Sequence, residues 1–151
     1  MKVVALKLKD EDGHIDYLRQ AIIDKELGMI GEFPKREKNR QISILSERIR
    51  NLIDEEEFEG LCLFRFYENI TIKDLEVKNI EIGQRLQIGE TVQEVTAIGK
   101  RCFKECKLIQ SGETCNLFMN VIFTKIIKSG FVKIDDKVVS LPSTDRFISN
   151  K

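Results

Sequence analysis

Glycines divide the second half of this chain into short apolar segments, and this spacing constrains the fold more than any other feature. Residues 75–82 precede Gly83, residues 84–88 precede Gly89, and the β-branched residues 91–98 precede Gly99. Two further alternating segments cover residues 121–128 and 131–139. Strands that recur about every 8–12 residues indicate a β-sandwich or barrel rather than an α/β sheet. The sequence therefore predicts a mainly β fold.

The first half predicts two strands and the clearest helix. Residues 4–8 alternate apolar side chains with lysine, and residues 41–45 alternate again after a basic loop at residues 35–40. Ser46 is a suitable cap for a helix that places Ile49 and Ile53 on one face. The intervening residues 15–23 are compatible with either a helix or a strand. We expect one domain at residues 1–141 and a polar tail at 142–151.

Composition limits the classes of partner. Twenty-five acidic residues balance twenty-five basic ones, so no net charge draws the chain to nucleic acid or to a membrane surface. Charged residues interrupt the first nine positions, where a signal peptide would be apolar. We therefore expect a cytoplasmic protein whose thiols stay reduced, with no nucleic-acid or membrane partner.

Three of the four cysteines, Cys102, Cys106 and Cys115, lie in a locally basic segment that also contains Lys100 and Lys104. Nearby cations lower the pKa of a thiol and favour the thiolate, which is the reactive nucleophile and metal ligand. This pattern predicts sulfur chemistry or metal binding, although free cysteines often serve as small core residues. Three residues separate the first pair and eight the second, which suits a tetrahedral zinc site poorly. We expect no stoichiometric metal.

Other catalytic chemistries lack their residues. The only histidine, His14, lies beside a predicted hairpin turn, so Ser-His-Asp or Cys-His catalysis has no suitable base. No glycine-rich loop matches a nucleotide-binding fingerprint.

Several segments, in order, resemble the MOSC domain, which is found at the C-terminus of molybdenum cofactor sulfurases and as small free-standing bacterial proteins. The similar segments run through nearly the whole chain and are GMIGE at residues 28–32, RQISIL at 40–45, RFYENI at 65–70, QRLQIG at 84–89, GKRC at 99–102, FTKI at 123–126 and GFVKIDD at 130–136. Three positions depart from the family pattern. Glu32 stands where aspartate is usual, Phe33 follows where a histidine often comes nearby, and Asp135 stands where glycine is usual.

The resemblance implies a closed or nearly closed β-barrel, related to the pyruvate-kinase barrel insert, with a few short helices. It also implies sulfur delivery to metal centres through a cysteine persulfide, or binding of the molybdenum cofactor, without pyridoxal phosphate. On this hypothesis Cys102 carries the transferable sulfur from a sulfur-donor protein, and Cys106 is the second thiol.

The hypothesis assigns binding of the anionic cofactor to Arg40, Glu68, Asn69 and Lys100. Arg40 has a planar fork suited to an oxyanion, but a surface ion pair is the alternative. Glu68 and Asn69 end an apolar stretch, where a buried polar group must be satisfied either by the protein or by a ligand. Two other functions stay open. One is a non-catalytic module that binds a pterin phosphate or another anion, and the other is a small zinc-stabilised interaction domain.

Overall fold

The computed structural model describes residues 1–55, 66–99 and 120–142. These residues form a mainly β fold with one α-helix. The strands are β1 (Lys2–Lys9), β2 (Ile15–Leu18), β3 (Gln20–Asp24), β4 (Gly28–Met29), β5 (Ile42–Ser46), β6 (Ile70–Lys73), β7 (Arg85–Ile88), β8 (Thr91–Ile98), β9 (Ile122–Lys128), β10 (Gly130–Lys133) and β11 (Val138–Leu141), and the helix is α1 (Glu47–Glu55).

Eight of the strands form one sheet in the order β11-β7-β8-β9-β5-β6-β1-β2, and β10-β3-β4 form a second, smaller sheet. Neighbours pair antiparallel except β5 and β6, which pair parallel. A parallel pair needs a long crossover connection, and α1 lies in this one. The ambiguous residues 15–23 are strands, and Gly13 at φ +85° makes the predicted turn before them.

The large sheet curves until β1 meets the turn before β11. The Val3 amide donates to the Asp136 carbonyl at 2.9 Å, and the Asp135 amide donates to the Val3 carbonyl at 2.8 Å. A single bridge joins Lys2 and Lys137. Within the described residues these contacts do not extend into a ladder between β1 and β11. The predicted closed barrel is therefore not confirmed and stays a prediction.

Two apolar clusters lie on opposite faces of the large sheet. Leu6, Ile44 and Ile122 belong to the main core. Leu45 and Phe123 point to the other face, where they pack with Ile49 and Ile53 of α1. Side chains alternate between the faces of a strand, so Lys7 and Lys9, which flank Leu8, lie on the α1 side of β1. This face carries the polar groups discussed below.

The helix begins as predicted. Ser46 Oγ accepts a hydrogen bond from the Ile49 amide at 3.2 Å, which satisfies one of the free donors at the helix N-terminus. Burial of Ile49 and Ile53 then fixes α1 on the sheet. Among the described residues, no helix is long and apolar enough to cross a membrane.

One strand prediction is wrong. Residues 75–82 contain a short 3₁₀ turn, Val77–Asn79, instead of a strand. Asp74 adopts a left-handed conformation (φ +64°) directly after β6, which turns the chain out of the sheet. Leu75 and Ile80 still reach the main core from this turn, so the apolar pattern reflected burial rather than strand pairing. The tail beyond residue 142 lies outside the described residues.

Candidate functional site

The carboxylate of Glu68 is completely buried on the α1 side of the sheet, with cations on two sides. Arg50 from α1 donates through Nε to Oε2 at 3.1 Å and through Nη2 to Oε1 at 2.5 Å. Lys7 Nζ lies 3.2 Å from Oε2, and Thr71 Oγ1 donates to the same oxygen at 2.7 Å. Glu68 therefore joins β1, β6 and α1.

Burial and charge act in opposite directions on this cluster. Burial alone would raise the pKa of Glu68, but the hydrogen bonds from Arg50 and the charge of Lys7 hold it below its ordinary value. Burial lowers the pKa of Lys7, and the positive charge of Arg50 lowers it further against the opposing effect of Glu68. Glu68 is consequently an ionised structural group, while Lys7 is an ammonium held at a cost.

Asn69 is also buried, and it links β1 to β5. Its Oδ1 accepts from the Ser43 amide at 3.0 Å, and its Nδ2 donates to the Lys7 carbonyl at 3.1 Å. Its own amide donates to the Ser43 carbonyl at 3.0 Å. The structure thus gives Glu68 and Asn69 complete sets of partners within the chain. Their predicted part in cofactor binding stays a prediction.

Arg40 has different surroundings. Its guanidinium lies 4.8 Å from the ring centroid of Phe123, and within residues 1–55, 66–99 and 120–142 it makes no ion pair. The predicted alternative, a surface ion pair with a glutamate, is therefore not seen among these residues. Stacking on an aromatic ring holds the planar cation while its N–H groups stay available.

An open cavity of about 640 Å³ adjoins Arg40. Four basic side chains but only two acidic ones line it, together with two aromatic rings and a proline; the lining residues are Lys9, Glu32, Pro34, Lys35, Arg36, Glu37, Arg40, Tyr67 and Phe123. We call this space the Arg40 cavity. Its size is that of a small-molecule site, and its excess of cations suits an anion.

Glu32 closes one side of the Arg40 cavity. Its carboxylate accepts from the Lys9 amide and from Arg36 Nε, each at 3.0 Å, and from the Tyr67 hydroxyl. Glu32 is one methylene longer than the aspartate usual at this position, yet its carboxylate still makes these contacts. Burial, with the acceptor Glu32, raises the pKa of Tyr67 to about 12. Arg36 also stacks on the Tyr67 ring at 5.3 Å, but unlike Arg40 it has an ion-pair partner within the described part of the chain, namely Glu32.

The end of β8 lies beside the Arg40 cavity. Ala97 pairs with Phe123, and the Thr96 hydroxyl donates to the carbonyl of Asn39. The Gly99 amide donates to the Val121 carbonyl at 2.6 Å. Lys100, Cys102 and Cys106, which were predicted to act here, lie outside the described residues.

A second cavity, of about 400 Å³, lies on the other side of Tyr67. Lys7, Arg50 and Thr71 line it, with Tyr17 and Phe66 among its aromatic walls. We call this space the Lys7 cavity. Sequence reasoning missed Lys7, Arg50 and Arg36, because an alternating strand and a charged helix face give no sign of which cation is buried. Tyr67 could have been found from the sequence, because it lies inside the segment RFYENI that resembles the family.

One group of possible metal ligands occurs in the described part of the chain, namely Asp10, Asp12 and His14 in the exposed β1–β2 hairpin. Asp10 Oδ1 accepts from the amides of both Asp12 and His14 at 2.9 Å. These hydrogen bonds within the turn explain why the three side chains lie close together.

Comparison with protein-family models identifies the class. The MOSC domain model matches residues 35–139, more than two thirds of the chain. The chain belongs to the MOSC domain family. The match includes Arg40, Glu68 and Asn69 as well as the segment with three cysteines. A search of curated proteins found no significant match.

Solved structures share the fold. YuaD from Bacillus subtilis superposes with a TM-score of 0.67 at 16% identity, over 91% of this chain and 93% of that one. YiiM from Escherichia coli gives 0.60 at 16% identity, over 95% and 71%. YiiM from Geobacillus stearothermophilus gives 0.55 at 12% identity, over 93% and 73%. At such identities the likeness concerns the fold alone.

Proposed function

We propose that this protein is a MOSC-type sulfur carrier that binds the molybdenum cofactor, or a similar anionic ligand, and delivers sulfur from a cysteine persulfide. The observation that carries the proposal is the Arg40 cavity, where a stacked guanidinium faces open space without a carboxylate partner among the described residues. The cofactor is a pterin with a phosphate group. A cavity of about 640 Å³ with excess cations and aromatic walls fits such a group.

Each side chain around the cavity has a different part in this proposal. Arg40 holds the phosphate through paired hydrogen bonds, and Lys9 and Lys35 add positive charge. Arg36 is already paired with Glu32, so it fixes the wall rather than binding the ligand. Glu68 and Asn69 hold β1, β5 and β6 together, and β1 carries Lys9 to the cavity. Lys100, which follows the last residue of β8 by two positions in the sequence, would add a further cation. Bound here, the cofactor would supply the metal that accepts sulfur.

The covalent chain supports placing the thiol near this cavity. Cys102 follows Gly99 by three residues, so its Cα is tethered within about 11 Å of the Gly99 Cα. Gly99 is bonded to Val121, two residues before the Phe123 on which Arg40 stacks.

Sulfur transfer requires a thiolate at Cys102. The thiolate attacks the outer sulfur of a persulfide on the donor protein, the donor thiolate leaves, and Cys102 then carries the persulfide. The sulfur is exchanged without a net change in oxidation state. Lys100 and its basic neighbours favour the thiolate, and Cys106 is the second thiol that can take over the sulfur.

Residue-resolved alkylation tests the thiol. Cys102 should react first at mild pH, ahead of Cys106, while Cys62 between two leucines should react slowly. Mass spectrometry after treatment with a sulfur donor should find persulfide on the native protein and none on Cys102→Ser. Cys62→Ser is the matched control and should load normally. Persulfide that remains in Cys102→Ser would refute the assignment.

Phosphate binding tests the cavity. Arg40→Gln should weaken binding of inorganic phosphate by about tenfold, because a charge-assisted pair of hydrogen bonds is lost. Lys38→Gln is the matched control, since Lys38 is exposed in the same loop but does not line the cavity. Equal losses in the two variants would point to nonspecific electrostatics and against the cavity.

A non-catalytic anion-binding module is the second candidate. The stacking of Arg40 on Phe123 favours it, because anion binding by a stacked guanidinium requires no thiol. In that case Cys102→Ser would leave both phosphate binding and function unchanged.

We also propose that the large sheet is a barrel with its seam between β1 and β11. The hydrogen bonds of Val3 and Asp135 across that seam support this arrangement. Hydrogen exchange should show the Val3 and Val138 amides protected as strongly as those inside β6. Rapid exchange at both would identify an open sheet.

A further inference from the structure

The small sheet carries three exposed apolar side chains side by side on its outer face. Phe131 of β10 pairs with Ile22 of β3, and the amide of Ile30, directly after β4, donates to the Ile22 carbonyl at 2.9 Å. Phe131 is 41% exposed, Ile22 51% and Ile30 42%. Alternate residues of the same strands are buried in the main core, namely Ala21, Ile23, Met29 and Val132. We call the three exposed side chains the Ile22 row.

The Ile22 row is a continuous apolar surface. The Phe131 amide donates to Glu90 Oε1, and the Phe131 carbonyl accepts from the Glu90 amide, each at 3.0 Å. Both backbone groups of Phe131 thus point away from β3, so Phe131 and Ile22 form a non-hydrogen-bonded pair, in which the side chains lie closest together. Single exposed apolar residues are common on a protein surface, but a contiguous set of them marks a contact with a partner.

The edges of the small sheet favour a partner that packs on its face. Glu90 already bonds both backbone groups of Phe131 at the outer edge of β10. At the other edge, β4 is only two residues long. Neither edge offers the row of free backbone groups that an added strand requires. The partner of the Ile22 row must therefore approach through side chains.

Charges of opposite sign flank the Ile22 row along the strands. Lys133 lies two residues beyond Phe131, and Asp24 lies two residues beyond Ile22 on the opposite side of the row. Both therefore share the outer face with the row. Within the described residues neither charge takes part in an ion pair.

The rest of the rim also carries both signs. The turn after β3 contributes Lys25 and Glu26, and Glu90 is exposed beside Phe131. A strongly acidic or strongly basic partner would match only part of such a rim. A surface with opposite charges on its two sides can instead be complementary to a second copy of itself.

We propose that the Ile22 row is the contact surface of a homodimer, in which two copies pack face to face about a two-fold axis along the row. Each apolar side chain then faces its own counterpart, as a two-fold contact requires. The axis also reverses the strands, which brings Lys133 of each copy near Asp24 of the other. Glu90 meets its own counterpart at the end of the row, and this repulsion weakens the contact.

The size of the Ile22 row sets the strength of the dimer. Stable interfaces bury about 800 Å² on each partner, and three partly exposed side chains with a charged rim provide less. We therefore expect a dissociation constant of about 100 μM and a dimer that separates on dilution.

Sedimentation velocity of the whole protein, at about 10 μM to 1 mM and with a reductant to exclude disulfide-linked dimers, tests the proposal. Ile22→Thr keeps a β-branched residue in the strand but removes apolar surface, and it should raise the dissociation constant about tenfold. Val139→Thr is the matched control, because Val139 is also an exposed apolar residue of a strand but lies in the large sheet. It should leave the dimer unchanged.

A pair of charge changes tests the direction of the axis. Lys133→Glu, at an exposed position, should weaken the dimer about tenfold because it brings two negative charges together. Adding Asp24→Asn should recover most of that loss, since asparagine removes the repulsion while its Oδ1 can still accept from the turn amides. A native protein that stays monomeric at about 1 mM, an unchanged dimer in Ile22→Thr, or no recovery with Asp24→Asn would each overturn the proposal.

Discussion

The Glu68–Asn69 region and the Arg40 cavity lie on the same side of the sheet, yet they treat polar groups in opposite ways. Around Glu68 and Asn69, side chains from β1, β5, β6 and α1 supply donors and acceptors that match. Around Arg40, a guanidinium is fixed against Phe123 by stacking, and its N–H groups face open space. A polar residue with a structural role therefore differs from one available to a ligand in whether its partners lie within the chain.

This difference predicts that substitutions in the two regions will affect different measurements. Changes at Glu68 should lower the free energy of unfolding, while changes at Arg40 should lower ligand affinity with little effect on stability. Variants that mix the two effects would break the distinction.

Glu68→Gln should have the largest effect. It leaves Lys7 and Arg50 without their buried counter-charge, since the Asp54 carboxylate that still bonds Arg50 is exposed, and breaking a buried ion pair in this way costs about 3–5 kcal/mol. Urea unfolding measures the loss. Glu37→Gln, at an exposed position beside the Arg40 cavity, is the control and should change stability little. A loss below about 1 kcal/mol in Glu68→Gln would mean that the cluster is not structural.

The loss of folding stability at acid pH should depend on the same carboxylate. The pKa of Glu68 is lower in the folded protein than the ordinary 4.5, so the unfolded chain binds its proton more readily. The stabilisation is complete above 4.5 and is lost as the pH falls towards the folded pKa. The midpoint temperature of thermal unfolding should therefore fall less between pH 6 and pH 3 in Glu68→Gln than in the native protein. If the midpoint falls equally with pH in both proteins, other groups cause the loss of stability at acid pH.

Tyr67→Phe should cost about 1 kcal/mol, the value of one hydrogen bond to a carboxylate that keeps other donors. In the native protein the pKa of Tyr67 is raised from 10.0 to about 12. The folded state then binds this proton more tightly, so its contribution is full below pH 10 and is lost between 10 and about 12. An absorbance titration should show a late tyrosinate step that is missing in Tyr67→Phe.

Arg40→Gln should have the smallest effect on stability, about 0.5 kcal/mol, because an exposed side chain loses only its stacking on the Phe123 ring. Urea unfolding of the same sample used for phosphate binding makes the comparison direct. A stability loss as large as that of Glu68→Gln would show that Arg40 is structural after all.

Much of the fold followed from local patterns in the sequence. Glycine spacing gave the strands of the second half, and Ser46 with Ile49 and Ile53 gave the helix. The exception, residues 75–82, shows the limit: burial of Leu75 and Ile80 imitates a strand when a turn carries them. Asp135 is instructive too. It stands at φ +74°, a conformation that explains why glycine is usual there.

The site was only partly predictable. The motifs that contain Arg40, Glu68 and Asn69 were recognisable, and the sequence could say that the last two must be satisfied. The sequence could not identify their hydrogen-bond partners, because Ser43, Lys7 and Arg50 are distant in the chain and only the folded sheet and helix bring them close. Burial of Lys7 is likewise a property of the assembled sheet and helix, since its sequence neighbours are those of an ordinary half-exposed strand.

The pairing of strands that lie far apart in the sequence has a consequence for how fast the protein can fold. β6 lies between β5 and β1, and the hydrogen bond from Asn69 Nδ2 to the Lys7 carbonyl joins residues 62 positions apart. Closing such a loop costs chain entropy before any contact repays it, so folding should take milliseconds to seconds rather than microseconds. In pulse-labelling hydrogen exchange, the amides of β1 should become protected together with those of β6, as one kinetic unit.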